Sequence, residues 1–388
     1  MRIALLACDP EIEFGDDRAC PARLRGLARA LARAGHEVTV MAPGHEREDA
    51  ESPDGITVRM LRLPVTAREV DWHFSRVQPE IVIERLLPGS LEGAQAAVEA
   101  GIPHVWDIEV ESRADALSLS PSVRGGLPDA LHRSGAAIVD SESTLARVHD
   151  LAGANYPATV VPDGAERELL DGPPRDEIEK IAARLRLGDG SPCIGFHGSL
   201  GRESGLLATI AAAATFEHGL RPRVVVIGDG PERNPALSLA HRLGVPLVLC
   251  GRVSTRELPA HLVLCDTVVI SNDTGDGAPR ALLEAMAVGR AVVAFEGAAA
   301  GRAARDGYDV RLVPAGDVDS LASTLRELES EPGRRARLGS NARRTVRERH
   351  TWDARAGRVV EFIGALTDRV QRGRPAWRED TVTRAVSG

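Results

Sequence analysis

Short apolar segments alternate with amphipathic helical segments along nearly the whole chain, and this alternating series occurs twice. A polar stretch at 162–191, rich in turn-forming residues, separates the two series and predicts a hinge that contains one helix near 175–187. Apolar strands separated by helices predict parallel sheets with helices on both faces. The sequence therefore predicts an α/β fold of two doubly wound domains, with a ligand in the cleft between them beyond the carboxyl ends of the strands.

The predicted strands are short runs of mainly aliphatic residues. In the first series they are Ile3–Ala7, Val38–Ala42, Ile56–Leu61, Ile81–Glu84, His104–Asp107, Ala136–Asp140 and Thr159–Val161. In the second series they are Cys193–Gly198, Val224–Gly228, Leu247–Cys250, Thr267–Ser271, Ala291–Phe295 and Arg311–Val313. The segment 23–33 illustrates the helices between them, since its apolar residues recur with helical spacing and form one stripe, made by Leu24, Leu27, Ala28 and Leu31.

Composition and charge exclude several classes of protein. The formal net charge of −8 argues against a nucleic-acid partner, because such binders carry a basic surface. The chain has no apolar run of about 18 residues and no basic-then-apolar leader, so the sequence predicts neither a membrane-spanning helix nor a signal peptide. The five cysteines follow no metal-ligand spacing, which predicts no zinc site, no disulfide framework and a cytoplasmic location.

The segment 271–290 carries the most chemical information. A strand ends near its start, a glycine-containing loop follows, and Pro279 suits the first position of a helix. The free N–H groups of that helix start, preceded by the flexible Gly277, form a site for an anion such as a diphosphate. Asp276 in the loop and Glu284 in the helix can reach one ligand. On spacing alone, a helix-capping aspartate and an ordinary surface glutamate explain the pair equally well.

The same segment resembles the signature of the retaining glycosyltransferases of family 4, in which an acid is followed after seven residues by a glutamate. The matching stretch reads DGAPRALLEAMAVGRAVVA. Three more segments resemble family segments in the same order, namely TVVPDGAE at 159–166, VVVIGDGPER at 224–233 and LCGRVSTRELPAHL at 249–262. The resemblance implies the GT-B fold, with two Rossmann-like domains facing a central cleft. It implies an acceptor-binding domain at 1–164, completed by a helix at about 362–378, and a donor-binding domain at 165–361.

The resemblance also implies a donor site in the second domain. Glu284 is expected to accept hydrogen bonds from the ribose of the donor nucleotide, and Asp276 to face the transferring sugar. The other implied donor contacts are Gly277, Ala278 and Pro279 at the helix start, Gly228 and Gly230 in a close turn, and Arg252 and Val253 beside the base. A simple tight turn explains the glycines at 228 and 230 equally well. No cofactor is implied, because the nucleotide diphosphate sugar is a co-substrate.

Three places depart from the family pattern. One is Glu109, where the family often has a histidine or an asparagine. At another, the family has an arginine and a lysine after the first strand of the second domain, whereas GSLGRESG here places Ser199 and Ser204 there as the expected donor contacts, with Arg202 between them. Losing two cations beside a diphosphate weakens leaving-group stabilisation, which is usually a major catalytic effect, and Arg202 is the candidate substitute. The first domain lacks the family's Gly-Gly loop. Arg18, in that region, either reaches the phosphates or is a solvated arginine at a helix start.

Acidic residues collect where the acceptor is expected in the first domain. The loop after the first strand includes Asp9, Glu11, Asp16 and Asp17, and Asp107 and Glu109 lie on one side of a strand end. These charges favour an amine-bearing or zwitterionic acceptor, although a solubilising surface loop explains the acidic loop equally well. Asp107 or Glu109 is expected to orient the acceptor or act as a base. Trp106 is either an acceptor platform or, more typically, a core aromatic residue.

The sequence therefore predicts an enzyme that transfers a sugar, with retention, from a UDP- or GDP-type sugar to a small polar metabolite of natural-product biosynthesis. Two alternatives remain open. A membrane-associated lipid glycosyltransferase would dock the arginine-bearing helix at 23–33 on anionic lipid, and a non-catalytic nucleotide-sugar-binding protein would explain Ser199 and Ser204. The sequence predicts no nucleic-acid partner and no metal, and leaves the oligomeric state open. His197 adjoins the donor loop but is more typical of a structural histidine than of a ligand.

Overall fold

The structure is a computed structural model that describes most of the chain. The described residues are 1–8, 19–43, 50–51, 55–86, 91–108, 126–187, 190–218, 221–271 and 280–371. The chain divides into two compact units. The first unit contains Met1–Asp163 and Trp352–Gly388, and the second contains Gly164–Thr351.

The first unit is built on an eight-stranded sheet. Its strands are β1 (Arg2–Leu6), β2 (Glu37–Pro43), β3 (Ala50–Glu51), β4 (Thr57–Leu61), β5 (Ile81–Arg85), β6 (His104–Ile108), β7 (Ala136–Val139) and β8 (Ala158–Val160). They lie in the order β3-β4-β2-β1-β5-β6-β7-β8, and every neighbouring pair is parallel except β3 with β4. The strand order reverses between β1 and β5, which is the topological switch point of this sheet.

Helices cover both faces of this sheet and form its cores. Those before the second unit are α1 (Ala19–Arg33), α2 (Ala67–Val77), α3 (Glu92–Glu99), α4 (Gly126–Arg133) and α5 (Glu142–Ala152). The apolar stripe predicted within α1 is confirmed, because Leu24, Leu27 and Leu31 are buried in one cluster with Ile3 of β1 and Ile83 of β5.

The second unit is built on a six-stranded, fully parallel sheet. Its strands are β9 (Cys193–His197), β10 (Arg223–Ile227), β11 (Leu247–Gly251), β12 (Thr267–Ile270), β13 (Ala291–Phe295) and β14 (Arg311–Val313). They lie in the order β11-β10-β9-β12-β13-β14. The order reverses between β9 and β12, so the switch point of this sheet lies between these two strands.

The helices of the second unit pack on both faces of its sheet. They are α6 (Arg167–Asp171), α7 (Arg175–Leu185), α8 (Leu206–Ala214), α9 (Arg233–Leu243), α10 (Leu258–Val263), α11 (Arg280–Ala287), α12 (Ala298–Ala303), α13 (Val318–Ser330) and α14 (Pro332–Arg349). One core buries Leu262 of α10 and Leu282 of α11 with Val268 of β12. The opposite core buries Ile210 of α8 and Leu325 of α13. Burial of aliphatic side chains on both faces explains why the strands of this unit read as continuous apolar runs.

The last described helix, α15 (Trp352–Gln371), belongs to the first unit and packs against α1. Val359 and Ile363 are buried in the same cluster as the apolar stripe of α1. Gly26 permits the close approach of the two helices, because a β-carbon there would lie 2.3 Å from the Trp352 ring. The apolar face of α15 therefore begins at its first residue. The structure places residues 352–361 in the first unit, whereas the sequence interpretation assigned them to the second.

Every strand predicted from the sequence overlaps an observed strand, and the predicted α/β fold is confirmed. The two-residue strand β3 and the five-residue helix α6 were not predicted. The stretch 162–191 thus holds two helices rather than the single one expected. None of the helices in the described part of the chain has the length and apolar character needed to cross a membrane.

Candidate functional site

The switch point of the second sheet brings together side chains that are distant in the sequence. His197 is the last residue of β9, Ser271 directly follows β12, and Glu284 lies on α11. The Ser271 hydroxyl donates to the backbone carbonyl of Ser199 over 2.7 Å and so ties the two strand ends together. Parallel sheets of this type bind ligands beyond the carboxyl ends of the strands at the switch point. This position is therefore the candidate ligand site of the second unit.

Glu284 is buried there between two basic side chains. His197 Nε2 lies 2.7 Å from one carboxylate oxygen, and Arg280 Nε donates to the other oxygen over 2.7 Å. Burial alone would raise the pKa of Glu284, but the hydrogen bond from His197 and the charge of Arg280 outweigh it and leave the pKa below its ordinary value. The group is therefore an ionised acceptor at neutral pH. We call His197, Arg280 and Glu284 the switch-point cluster.

The loops that follow β9 and β10 lie beside this cluster, and their backbones pack against each other. The Gly198 amide donates to the Ile227 carbonyl over 3.1 Å, and the Leu200 amide donates to the Asp229 carbonyl over 3.1 Å. Gly228 and Gly230 both have positive φ, and β-carbons there would lie 1.9 Å from the Gly198 carbonyl oxygen and 2.7 Å from the Leu200 carbonyl oxygen. The two glycines are therefore required for loop packing, in agreement with the tight-turn interpretation.

Ser204 does not have the role expected from the sequence. It is 1% exposed, its hydroxyl donates to a carboxylate oxygen of Glu232, and it accepts from the Leu206 amide at the start of α8. These contacts occupy the hydroxyl, so the expected contact with a donor phosphate is wrong. Ser199 and Arg202 are exposed, and Arg202 forms no ion pair with any residue that the structure describes.

The remaining donor candidates are only partly within the described chain. Arg252, just after β11, is exposed, and Val253 is half-buried and packs against the core that contains α10 and α11. The other donor candidates, Arg18, Asp276, Gly277, Ala278 and Pro279, lie outside the described residues. The same is true of the acceptor-side candidates Asp9, Glu11, Asp16, Asp17 and Glu109.

Asp107 is a structural charge in the first unit. Its carboxylate lies 2.7 Å from a guanidinium nitrogen of Arg355, 3.3 Å from one of Arg23 and 3.6 Å from one of Arg85. Burial opposes ionisation, but these three guanidinium groups hold the pKa of Asp107 well below its usual range. A carboxylate so weakly basic cannot serve as the expected base, and three cationic neighbours rather than an acceptor fix its orientation. This correction gives Asp107 the role of joining α1, β5, β6 and α15.

Trp106 is also a core residue and not an acceptor platform. It is 0% exposed, and its indole Nε1 donates to the Ala130 carbonyl over 2.8 Å. Its ring meets the His104 ring edge to face. The expectation that Trp106 contacts the acceptor is therefore wrong, because a ligand cannot reach a fully covered ring.

A buried polar chain on the same face of the sheet was not anticipated. His104 Nε2 lies 2.8 Å from the carboxylate of Glu84, and His104 Nδ1 lies 3.0 Å from the Ser134 hydroxyl. Complete burial raises the pKa of Glu84. The sequence places Glu84 at the end of a predicted apolar strand, and that unusual position was the only signal available.

Two members of the switch-point cluster were not predicted to bind the donor. Arg280 was not singled out, although it precedes Glu284 by four residues and such pairs face each other on a helix. His197 was judged structural, although the end of the first strand of a doubly wound domain is a common ligand position. Among the described residues, no group of three or more histidine, cysteine or acidic side chains is arranged to hold a metal ion.

Comparisons with known proteins agree with this architecture. Two family models match the chain, "Glycosyl transferases group 1" over residues 177–345 and "Glycosyltransferase Family 4" over residues 22–169. The chain is 23% identical over 347 residues to a 2-deoxystreptamine glucosyltransferase of Streptomyces kanamyceticus, covering 79% of this chain and 88% of that protein. It is 26% identical over 390 residues to a phosphatidyl-myo-inositol mannosyltransferase of Mycolicibacterium smegmatis, covering 93% of this chain and 94% of that protein.

A solved structure extends the similarity to the fold. Anabaena Alr3699/HepE in complex with UDP and glucose matches with a TM-score of 0.73 and 18% identity, covering 94% of this chain and 100% of that chain. At 18% identity this likeness concerns the fold alone.

Proposed function

The chain belongs to the group 1 and family 4 glycosyltransferases and is a transferase of the GT-B fold, and from this premise we propose its reaction. It moves a sugar, with retained anomeric configuration, from a UDP- or GDP-type sugar to a small polar acceptor. The observation that carries the donor assignment is the ionised Glu284 held at the switch point of the second sheet.

The nucleotide end of the donor is assigned to Glu284. A carboxylate has about four lone-pair positions for hydrogen bonds, and His197 and Arg280 use one on each oxygen. The remaining positions match a pair of neighbouring hydroxyls that both donate, which is the pattern of a ribose 2′,3′-diol. A buried acceptor of this kind discriminates strongly against a ligand that lacks the hydroxyls, because the carboxylate would then lose those partners.

The diphosphate is assigned to the start of α11. Backbone N–H groups at a helix start and the positive end of the helix dipole favour an anion. Arg280, the first residue of the helix, adds a guanidinium that is one-third exposed. Arg202 is a second exposed cation of the same unit and is the proposed substitute for the cations that the family pattern has near Ser199 and Ser204.

The proposed chemistry breaks the bond between the anomeric carbon and the diphosphate oxygen and forms a bond from that carbon to the acceptor oxygen or nitrogen on the same face. The departing phosphate oxygen takes the acceptor proton, so atoms and charges balance. This route requires no protein base, which agrees with the engaged state of Asp107. Asp276 is proposed to face the transferring sugar.

The acceptor is proposed to be a small polyol or aminopolyol. The names of the two relatives above specify a deoxystreptamine and a phosphatidyl-myo-inositol, which both contain a six-membered carbocycle with several hydroxyl or amine groups. The deoxystreptamine supports the amine-bearing acceptor expected from the acidic loop. The second relative keeps a lipid-linked acceptor as the other candidate.

Calorimetric titration with UDP and GDP tests the donor assignment. We expect one of the two to bind, and Glu284→Ala to weaken that binding while the protein remains folded. Glu296→Ala is the matched control, because Glu296 is an exposed glutamate in the same unit. Unchanged affinity in Glu284→Ala would overturn the ribose contact. NMR of the anomeric proton in the product of a donor–acceptor screen then tests retention.

A further inference from the structure

We infer that His197 is a positioning residue for the donor nucleotide: it donates a hydrogen bond to the Glu284 carboxylate and holds that carboxylate in one orientation. This inference rests on the proposed function, because it deepens the role given to Glu284. It concerns a residue that the sequence analysis treated as structural.

The His197 ring has an acceptor beside each of its nitrogens. Nδ1 lies 3.2 Å from the backbone carbonyl oxygen of Ile227, and Nε2 lies 2.7 Å from a carboxylate oxygen of Glu284. A carbonyl oxygen and an ionised carboxylate can only accept hydrogen bonds. The shorter of the two contacts is therefore assigned as a hydrogen bond from Nε2–H to Glu284.

The alternative is a ring that accepts a hydrogen bond from a protonated Glu284. Arg280 argues against it, because its Nε donates to the second carboxylate oxygen over 2.7 Å and favours the ionised form. The lowered pKa of Glu284 points the same way. Two donors therefore hold the carboxylate, one on each oxygen.

The ring is fixed by its position in the fold. His197 ends β9, its Nδ1 reaches the end of the neighbouring strand β10, and its Nε2 reaches α11. The histidine is 8% exposed, so packing as well as hydrogen bonding limits its motion. Because β9 borders the switch point and is paired with β10, the ring transfers the fixed geometry of these strands to Glu284. A carboxylate held in this way loses little freedom when it binds the ribose hydroxyls.

The first test reads the ring directly. Selective labelling of histidine with ¹⁵N, with the His197 signals assigned by their loss in His197→Gln, reports the protonation of each nitrogen in the wild-type protein. We expect Nε2 to carry a proton in the wild-type protein, and its signal to shift in Glu284→Gln, which changes the group that accepts its hydrogen bond. A wild-type ring whose Nε2 carries no proton would overturn the inference. This measurement does not depend on the folding of a His197 variant.

The second test separates positioning from packing. His197→Phe keeps a ring of similar shape without donors, and His197→Gln keeps one donor toward Glu284. We expect the affinity for UDP or GDP, whichever the wild type binds, to fall about 10- to 100-fold in His197→Phe and less in His197→Gln, because a hydrogen bond to a charged group is lost in the first and partly kept in the second. His241→Gln is the control, since His241 is exposed on α9 of the same unit. Equal affinity in wild type and His197→Phe would overturn the inference.

A double-mutant cycle completes the experiment. If His197 acts through Glu284, adding His197→Phe to Glu284→Ala should cause almost no further loss, whereas independent residues would lose affinity additively. Additive losses contradict the inference. The outcomes also separate it from the proposed function. If the wild type binds neither nucleotide, or if Glu284→Ala binds as the wild type does, the donor assignment fails. If Glu284→Ala weakens binding and His197→Phe does not, only the inference about His197 fails.

Discussion

Asp107→Asn tests the assignment of Asp107 to the structural network of the first unit. The substitution keeps the size of the side chain but removes its charge, and its amide N–H₂ would face a guanidinium. Three buried arginines, Arg23, Arg85 and Arg355, would lose a shared counterion. Breaking a buried ion pair by removing one partner costs about 3–5 kcal/mol. With a urea m-value of about 2–3 kcal/mol/M, the unfolding midpoint of this unit should fall by about 1–2.5 M.

Tryptophan fluorescence during urea unfolding measures this shift of the unfolding midpoint in the first unit. All four tryptophans, Trp72, Trp106, Trp352 and Trp377, fall within the residue ranges of the first unit. Asp353→Asn is the matched control, because Asp353 pairs with Arg33 in the same unit but both side chains are at least 40% exposed. An exposed pair of this kind contributes about 1 kcal/mol at most.

The pH dependence of the same measurement has a defined sign. The pKa of Asp107 is lower in the folded than in the unfolded protein, where an aspartate titrates near about 3.9. The stabilisation is therefore complete above that value and is lost only as the pH falls toward the folded pKa. The gap between wild type and Asp107→Asn should stay constant from neutral pH to about pH 5 and narrow only in stronger acid. If Asp107→Asn unfolds like Asp353→Asn but abolishes sugar transfer, the catalytic interpretation is right and the structural one is refuted.

Three further predictions concern the second unit. Gly228→Ala should lower its melting temperature in scanning calorimetry, because a methyl group would lie 1.9 Å from the Gly198 carbonyl oxygen; an unchanged value contradicts the loop packing. Ser204→Ala should cost about 1–3 kcal/mol, since Glu232 loses a donor, while nucleotide affinity measured by titration stays the same. Lower affinity with unchanged stability would restore Ser204 as a phosphate contact. Nucleotide binding should persist in acid to a pH below the ordinary pKa of a glutamate, because the pKa of Glu284 is lowered and its ionised form accepts hydrogen bonds from the nucleotide. Loss of nucleotide binding at the ordinary glutamate pKa contradicts this assignment.

The strands of both sheets could be predicted from the sequence because they are buried on both faces. Each strand of the second unit is a run of aliphatic residues between turn formers, so its position could be read without knowledge of its neighbours. The strand β3 was not predicted because it has two residues and pairs antiparallel at the edge of the sheet. The helix α6 was not predicted because five residues do not establish a helical period.

The errors in the site come from partners that are remote in the sequence. Asp107 seemed available for an acceptor, but Arg355 comes from a helix 248 positions later. Ser204 seemed to replace a phosphate-binding residue, but its partner Glu232 belongs to the loop after the next strand, 28 positions away. No local pattern encodes such pairs. By contrast, Arg280 and Glu284 are four positions apart on one helix, and that pair could have been predicted.

Glu284 and Asp107 show how two buried carboxylates with lowered pKa can have different functions. Asp107 lies one residue before the end of β6, Glu284 lies in the middle of α11, and each is surrounded by basic side chains. The difference lies in the side chains that surround their charge. Three buried guanidinium groups from three different elements surround Asp107, whereas Glu284 pairs with His197 and with Arg280, which is one-third exposed. Drawing Asp107 away from its arginines would leave buried charges without their counterion, so we expect the ligand at Glu284 and not at Asp107.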